Sequence, residues 1–288
     1  MKTVAFAPGH ISCFFEPVYV SQDLIRTGSR GAGINVSFGA IAEVDAECAM
    51  KQNFEVFING KKSSAPVTRL ALKYMIGEKP LDVVVKTRLE LPVGQGFGMS
   101  AAGALSASLA LARIIGVSDF DALKASHCAE VQLRTGLGDA LASSFGGVEI
   151  RREAGLPPWG TIEHIPGRYE LVLCVVGKKI DTSKILADPM KTNDIVTQGR
   201  YCTKKLLENP SIENLFSLSQ VFTKKTGLAD KRVLEAIEAV NRYGLASMCM
   251  LGNSVFAIGK TSKLCQTLSL FGKVFVCTVD EYGARVLE

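Results

Sequence analysis

The sequence predicts an α+β protein made of two units, each mixing sheet and helix, and three observations predict it. Residues 1–91 read mainly as strands, two helical runs follow a glycine-rich loop at 92–103, and the remainder alternates strands with helices. Strand candidates at 3–7, 14–20, 33–44, 53–58 and 81–91 are apolar or alternating stretches separated by turn residues. The last of them ends in a strict polar–apolar alternation, the pattern of a sheet with one wet face. A helix is expected over 65–76. The apolar run 104–115 reads as a buried helix; Ser118 caps a further helix that Gly136 ends, and Asp139 opens a short helix before a strand at 147–152. Residues 153–160, Glu-Ala-Gly-Leu-Pro-Pro-Trp-Gly, are the most punctuated stretch and are expected to divide the chain into units 1–153 and 154–288. Beyond them come a strand at 169–176, helices at 192–207, 212–224 and 231–243, strands at 245–251 and 255–259, a helix at 262–271 and a strand at 273–279.

At 288 residues, almost half of them apolar, the chain can bury two modest cores or one large one. The net charge of +5 is dispersed. Lys178-Lys179, Lys204-Lys205 and Lys224-Lys225 are pairs of the kind that decorate solvated faces, which argues against a nucleic-acid patch. Eight cysteines form no C-x-x-C, and His10, His127 and His164 form no metal-ligand pair, which argues against structural zinc. Cys48, Cys128, Cys174, Cys249 and Cys277 lie in apolar stretches and read as reduced core thiols. The start, Met1 to Pro8, reads as a short strand and not a secretion signal. Ser106, Ser108 and Arg113 interrupt the one apolar run near the length of a membrane span. A cytoplasmic enzyme without membrane or nucleic-acid partners is the expectation.

The most informative residues are 92–103, Pro-Val-Gly-Gln-Gly-Phe-Gly-Met-Ser-Ala-Ala-Gly. Glycines at alternate positions let backbone amides approach an anion, and the helix after them would point its positive end at the same place. That is a nucleotide-phosphate signature. A Walker loop would need Lys and Ser/Thr directly after its last glycine, and Met99 follows Gly98 here; Gly259-Lys260-Thr261 lacks the upstream glycine, because Ser254 stands there. Gly96-x-Gly98-x-x-Ala101 matches a dinucleotide fingerprint in form, but the segment after its helix reads as another helix rather than a second strand. A glycine turn that only lets a helix pack tightly is the remaining reading of the loop taken alone.

Three segments carry a resemblance. Pro92-x-Gly94-x-Gly96-Phe97-Gly98-x-Ser100-Ala101-Ala102 resembles the second motif of the GHMP kinases, and Ala7-Pro8-Gly9-His10 resembles their first, where Lys or Arg usually follows the glycine. Thr135-Gly136-Leu137-Gly138-Asp139 with Gly146-Gly147 resembles the segment carrying their catalytic aspartate. Within the superfamily, residues 5–11, 28–35 and 135–139 look like the archaeal pantoate kinases. The resemblance implies a two-domain GHMP-kinase fold with a ferredoxin-like C-terminal domain, and ATP-dependent phosphorylation of pantoate to 4-phosphopantoate on the way to coenzyme A. It also implies Mg²⁺, and a homodimer. Homoserine, mevalonate or shikimate as acceptor, and a non-catalytic binder of ATP or RNA, stay open.

For individual residues the resemblance implies that Pro92, Gly94, Gly96, Gly98, Met99, Ser100, Ala101 and Ala102 hold the nucleotide phosphates. Ser100 and Glu130 are the implied Mg²⁺ ligands, oxygen donors as that ion prefers. Asp139 is the implied catalytic acid–base residue; an Asp opening a helix is also an ordinary N-cap. His10 can act as a cation only when protonated, and otherwise as a neutral donor in a turn. Arg30 and Ser29, in the glycine-rich turn Gly28-Ser29-Arg30-Gly31-Ala32-Gly33, are candidates for gripping the acceptor's carboxylate, since a guanidinium does so bidentately; an exposed hairpin Arg would look the same. Arg134 is a second carboxylate candidate or a partner for its helix's carboxyl end. Gly252, the surviving glycine of a third family motif at 248–257, is expected in a short turn beside the substrate site or in a plain hairpin.

Overall fold

A computed structural model describes residues 1–179 and 189–287 of the chain. The larger sheet is eight-stranded and starts from two unusually long strands, β1 (Lys2–Val18) and β2 (Gly28–Cys48), paired antiparallel along most of their lengths. The sequence expectation of two strands separated by an Ala-Pro-Gly-His turn therefore gives way to one continuous β1. Pro8 and Gly9 do not break it because the register shifts there, a bulge that bends the strand and re-aims the residue after it, His10. The expected turn at 28–33 is likewise strand. A side chain at Gly31, whose φ is 149°, would collide with the Phe14 carbonyl, and one at Gly33 would collide with the His10 imidazole. These glycines serve close approach, not reversal.

The rest of the sheet runs outward from that pair. β3 (Asn53–Ile58), the two-residue β4 (Lys61–Lys62) and β5 (Leu81–Leu89) complete one side in the order β1-β2-β5-β3-β4, with β3 and β5 parallel across α1 (Pro66–Ile76). β6 (Val148–Glu153) pairs with the beginning of β2, and β7 (Thr161–Ile165) pairs with β6. Residues 153–160, expected to separate the two units, thus connect neighbouring strands of one sheet, and the first sheet extends to Ile165. β12 (Arg285–Val286) returns the chain to β1.

Helices α2 (Met99–Ile115), α3 (Asp119–Leu133) and α4 (Asp139–Phe145) follow the glycine loop, with α2 in the middle against β1, β2, α1, α3 and α4. Alanine, glycine and serine fill most of α2, so neighbours approach it closely on every side and it is buried from Met99 to Ala112 almost without interruption. Ser118 caps α3 through a reciprocal capping box with Asp121. The helix ends at Leu133, before the expected Gly136, because Arg134 takes the left-handed conformation and closes it.

The second sheet holds β8 (Glu170–Val175), β9 (Gly244–Met248), β10 (Ser254–Gly259) and β11 (Lys273–Thr278), all antiparallel in the order β11-β8-β10-β9. With α5 (Pro189–Glu208), α6 (Ile212–Thr226) and α7 (Lys231–Val240) between β8 and β9, and α8 (Thr261–Leu268) between β10 and β11, this is the ferredoxin-like strand order with an enlarged first crossover. The two units share one core: Phe14 and Phe15 of β1 pack on Phe222 of α6, with ring centroids 6.5 and 5.8 Å apart. Cys48, expected in the core, is exposed at the end of β2, whereas Cys13, Cys128, Cys174, Cys202, Cys249 and Cys277 are buried and reduced. No helix among the described residues is long and apolar enough to cross a membrane.

Candidate active site between the glycine loop and two helix ends

A cavity of about 580 Å³ opens where the middle of β1, the glycine loop, the end of α3 and the start of α4 converge. Its loop wall is built as the composition requires. Gly94, Gly96 and Gly98 have φ of 76°, 79° and 61°, a region open to glycine and strained for other residues. Gly98 is the residue before α2, so the amides of Met99, Ser100 and Ala101 face the cavity at the positive end of a long helix. The loop is pinned from both units. His10 N–H donates to the Phe97 carbonyl at 3.0 Å. Buried Gln95 donates through Nε2 to the Gly177 carbonyl at 3.0 Å and accepts from Ser254 Oγ at 3.2 Å.

Opposite the loop lies a buried chain of alternating charge. His10 is 1% exposed; its Nδ1–H donates to Asp139 Oδ1 at 2.7 Å and its Nε2–H to Glu149 Oε1 at 2.9 Å. The same Glu149 oxygen accepts from Arg151 Nη1, and Glu149 and Arg151 are themselves 0% and 1% exposed. Glu149 and Arg151 stand two apart on β6 and therefore share a face. A neutral imidazole has one N–H, so with a carboxylate oxygen on each nitrogen one contact would set lone pair against lone pair; the imidazolium satisfies both. Burial alone would lower the His10 pKa, but the hydrogen bonds to Asp139 and Glu149 raise it above the usual histidine value. Asp139 responds in the opposite sense: burial pushes its carboxyl up, and the His10 hydrogen bond and charge, with Arg151 behind, hold it below the usual range. For Glu149 burial is likewise outweighed, first by Arg151 and then by His10. Two carboxylates on one ring suit an imidazolium paired with Asp139, with Arg151 Nη1 also 3.3 Å from Nε2.

Glu130 comes from the last turn of α3. It is 2% exposed, and its Oε2 accepts from the Ala140 N–H at 3.1 Å, which ties α3 to the start of α4. Burial and then the neighbouring Asp139 charge push its carboxyl well above the usual value. No basic side chain pairs with it among the described residues, so one buried oxygen acid faces the cavity without a cation. Ser100, exposed in the first turn of α2, offers a hydroxyl on the same cavity. One carboxylate, one hydroxyl and room for phosphate and water suit Mg²⁺, a hard ion that keeps several waters.

Of the residues singled out from sequence, His10, Ser29, Gly94, Gly96, Gly98, Met99, Ser100, Ala101, Glu130, Arg134 and Asp139 line this cavity. Four do not. Pro92 begins the loop outside it, and the Ala102 amide is spent inside α2 on the Gly98 carbonyl at 3.0 Å. Arg30 is engaged elsewhere: its guanidinium donates to Glu153 Oε2 at 3.1 and 2.7 Å and lies 3.7 Å from Glu16, so the chain's own acids occupy the fork expected for a substrate. A side chain on Gly252 would strike the backbone of Gln95 and Gly96, so this glycine seats the β9–β10 turn against the back of the loop; Met250 and Leu251 of that turn line the cavity instead. Glu149, Arg151, Gln95 and Lys179 were not foreseen. The i, i+2 spacing of Glu149 and Arg151 matches a solvated strand face, and only their pairing with a histidine 139 residues away in sequence from Glu149 explains their burial.

A two-unit fold whose glycine loop feeds a helix amino end, facing an ionised, histidine-held aspartate, defines a small-molecule kinase of the GHMP type. Residues 65–147 match the family model for the GHMP kinases N terminal domain. Over the full chain, the structure is similar to a solved "phosphotransferase related to CoA biosynthesis pathway", with TM-score 0.90, 28% identity and 100% and 99% of the two chains covered. It is similar in fold to the homoserine kinase of Cytophaga hutchinsonii, with TM-score 0.70, 15% identity and 99% and 97% coverage. Among curated proteins, the sequence is 34% identical to the pantoate kinase of Methanospirillum hungatei over 99% of this chain and 96% of that one. It is 31% identical to the pantoate kinase of Methanocaldococcus jannaschii over 95% and 99%. The chain belongs to the pantoate kinase family.

Because Glu149 is buried between two cations, removing one of them leaves charge uncompensated. Arg151→Met, which keeps the stem and deletes the guanidinium, should cost about 3–5 kcal/mol in a denaturant unfolding titration. A loss under about 1 kcal/mol would contradict the buried chain as described.

Proposed function

We propose that the chain transfers the γ-phosphoryl group of ATP to the 4-hydroxyl of pantoate, giving ADP and 4-phosphopantoate for coenzyme A synthesis. The observation that carries this reading is the aspartate held ionised by His10 at one end of a cavity whose other wall is the glycine loop. Phosphoryl transfer asks the protein mainly for positioning and charge neutralisation. The amides of Met99, Ser100 and Ala101 and the start of α2 hold the donor's phosphates. When bound, Mg²⁺ neutralises the donor phosphates; Glu130 and Ser100 would hold it.

Asp139 is 29% exposed, on the cavity wall, so it can accept or orient the proton of the attacking hydroxyl. His10 fixes its rotamer and keeps it ionised. Ser29 is on the wall, and a side-chain atom placed on Gly138 would lie 2.5 Å from Ser29 Oγ and 3.1 Å from Arg151 Nε, so these two groups converge. Arg151 Nε is buried and has no hydrogen-bond partner. A hydroxyl on the wall with an unsatisfied cationic N–H behind it suits the acceptor's carboxylate better than Arg30, which is already paired. Arg134 on the rim adds positive charge at the entrance.

Two experiments check this. ADP release with Mg-ATP should be confined to pantoate when pantothenate, homoserine, mevalonate and shikimate are offered beside it, and Asp139→Asn should lower kcat on the order of 10²- to 10⁴-fold with the melting temperature retained. Turnover on a different acceptor would move the specificity; near-wild-type turnover by the variant would remove Asp139 from the chemistry. Arg30→Ala should leave the pantoate KM unchanged, while Ser29→Ala should raise it roughly tenfold, as loss of one hydrogen bond to a charged group does. The reverse ranking would restore Arg30 to the substrate site.

A further inference from the structure

Resting on the phosphoryl-transfer reading, we infer that Lys179 supplies the cation that grips the donor's terminal phosphates over the glycine loop. Among the described residues whose side chains are cationic, three line the cavity: His10, Arg134 and Lys179. His10 has both nitrogens committed to carboxylates. Arg134 closes the carboxyl end of α3, on the helix that carries Glu130. Lys179 alone stands against the phosphate loop. The stem runs along Gly94, its Cβ, Cδ and Cγ lying 3.0, 3.6 and 3.8 Å from where a side-chain carbon on that glycine would be. No salt bridge or hydrogen bond engages its ammonium among the described residues. An exposed lysine normally drifts in solvent. Here the backbone leading to it is fastened to the loop it overhangs.

That fastening has three parts. Gln95, inside the loop, donates to the Gly177 carbonyl at 3.0 Å. The Gly177 N–H donates to the Asn253 carbonyl at 3.0 Å, and Asn253 Nδ2 donates to the Lys178 carbonyl at 2.9 Å. The residue that follows is therefore held at a fixed distance from both the loop and the β9–β10 turn. An ammonium tethered opposite the amides of α2 completes a clamp on a polyphosphate: backbone donors on one side and a point charge on the other. The charge that grows on the leaving phosphate oxygens during transfer falls between them. The glycine at position 94 has a second use in this arrangement, since any side chain there would displace the lysine stem.

The test is Lys179→Met, which keeps the stem and removes the charge, beside Lys179→Arg, with ATP, ADP and AMP affinities measured by calorimetry and turnover measured with pantoate. Loss of the charge should weaken ATP about 10- to 100-fold, ADP less, and AMP not at all, and should lower kcat/KM for ATP about 10²-fold while pantoate binding in the absence of nucleotide is unchanged. Arg should restore most of the loss. ATP affinity and turnover unchanged in Lys179→Met, while the wild type binds ATP, would overturn the inference and leave the kinase reading standing. A uniform loss for all three nucleotides would also overturn it, because a merely structural lysine would act that way. A wild-type chain that binds no ATP would sink both.

Discussion

Four charges in alternation, the cavity-facing Asp139 and the buried His10, Glu149 and Arg151, constrain everything around them. Each of these groups alone would be too costly to remove from water. His10 is far in sequence from the other three, and the fold brings the four together from β1, β6 and the start of α4. The bulge at Pro8 and Gly9 re-aims the strand just before His10, and the absence of a side chain at Gly33 gives the imidazole and the Glu149 carboxylate their space. Long strands with glycines at selected points are the architectural answer to that requirement. The useful product is an aspartate that borders the cavity yet stays ionised, because a permanent arginine stands at the far end of the chain.

A second constraint joins the two units. The glycine loop belongs by sequence to the first, yet Gln95 reaches Gly177 and Ser254 of the second, and Gly252 packs against the loop's back. His10 ties the same loop to β1 through its backbone while its ring holds Asp139. One residue therefore touches both the nucleotide side and the acceptor side of the cavity. Positioning of the two reactants, which is most of what phosphoryl transfer needs from a protein, follows from a shared set of hydrogen bonds rather than from two independent sites.

Much of this was legible in the sequence where the signal is local. The alternate glycines of the loop do take positive φ, Ser118 does cap α3, and Asp139 does open a short helix. The order β11-β8-β10-β9 realises the expected ferredoxin-like unit. Readings failed where a residue's role is set by something distant. Glycines at 28, 31 and 33 look like a turn, and only the strand opposite reveals that they admit a neighbouring backbone and a buried ion pair. Arg30 on that supposed turn looked free, whereas Glu153 lies across from it on β6. Glu149 and Arg151 alternate like a wet strand face. β7, beyond two prolines, was invisible because its partner β6 defines it.

The account stands on the charge state of His10. The chain has three histidines, so the His10 ring can be assigned in ¹⁵N-resolved imidazole NMR by its disappearance in His10→Asn. Near neutral pH both of its ring nitrogens should carry protons in strong hydrogen bonds, and deprotonation should begin above the ordinary histidine value of 6.5. A ring with a single N–H at neutral pH, titrating at or below that value, would contradict the alternating chain and with it the explanation of how Asp139 is held ready.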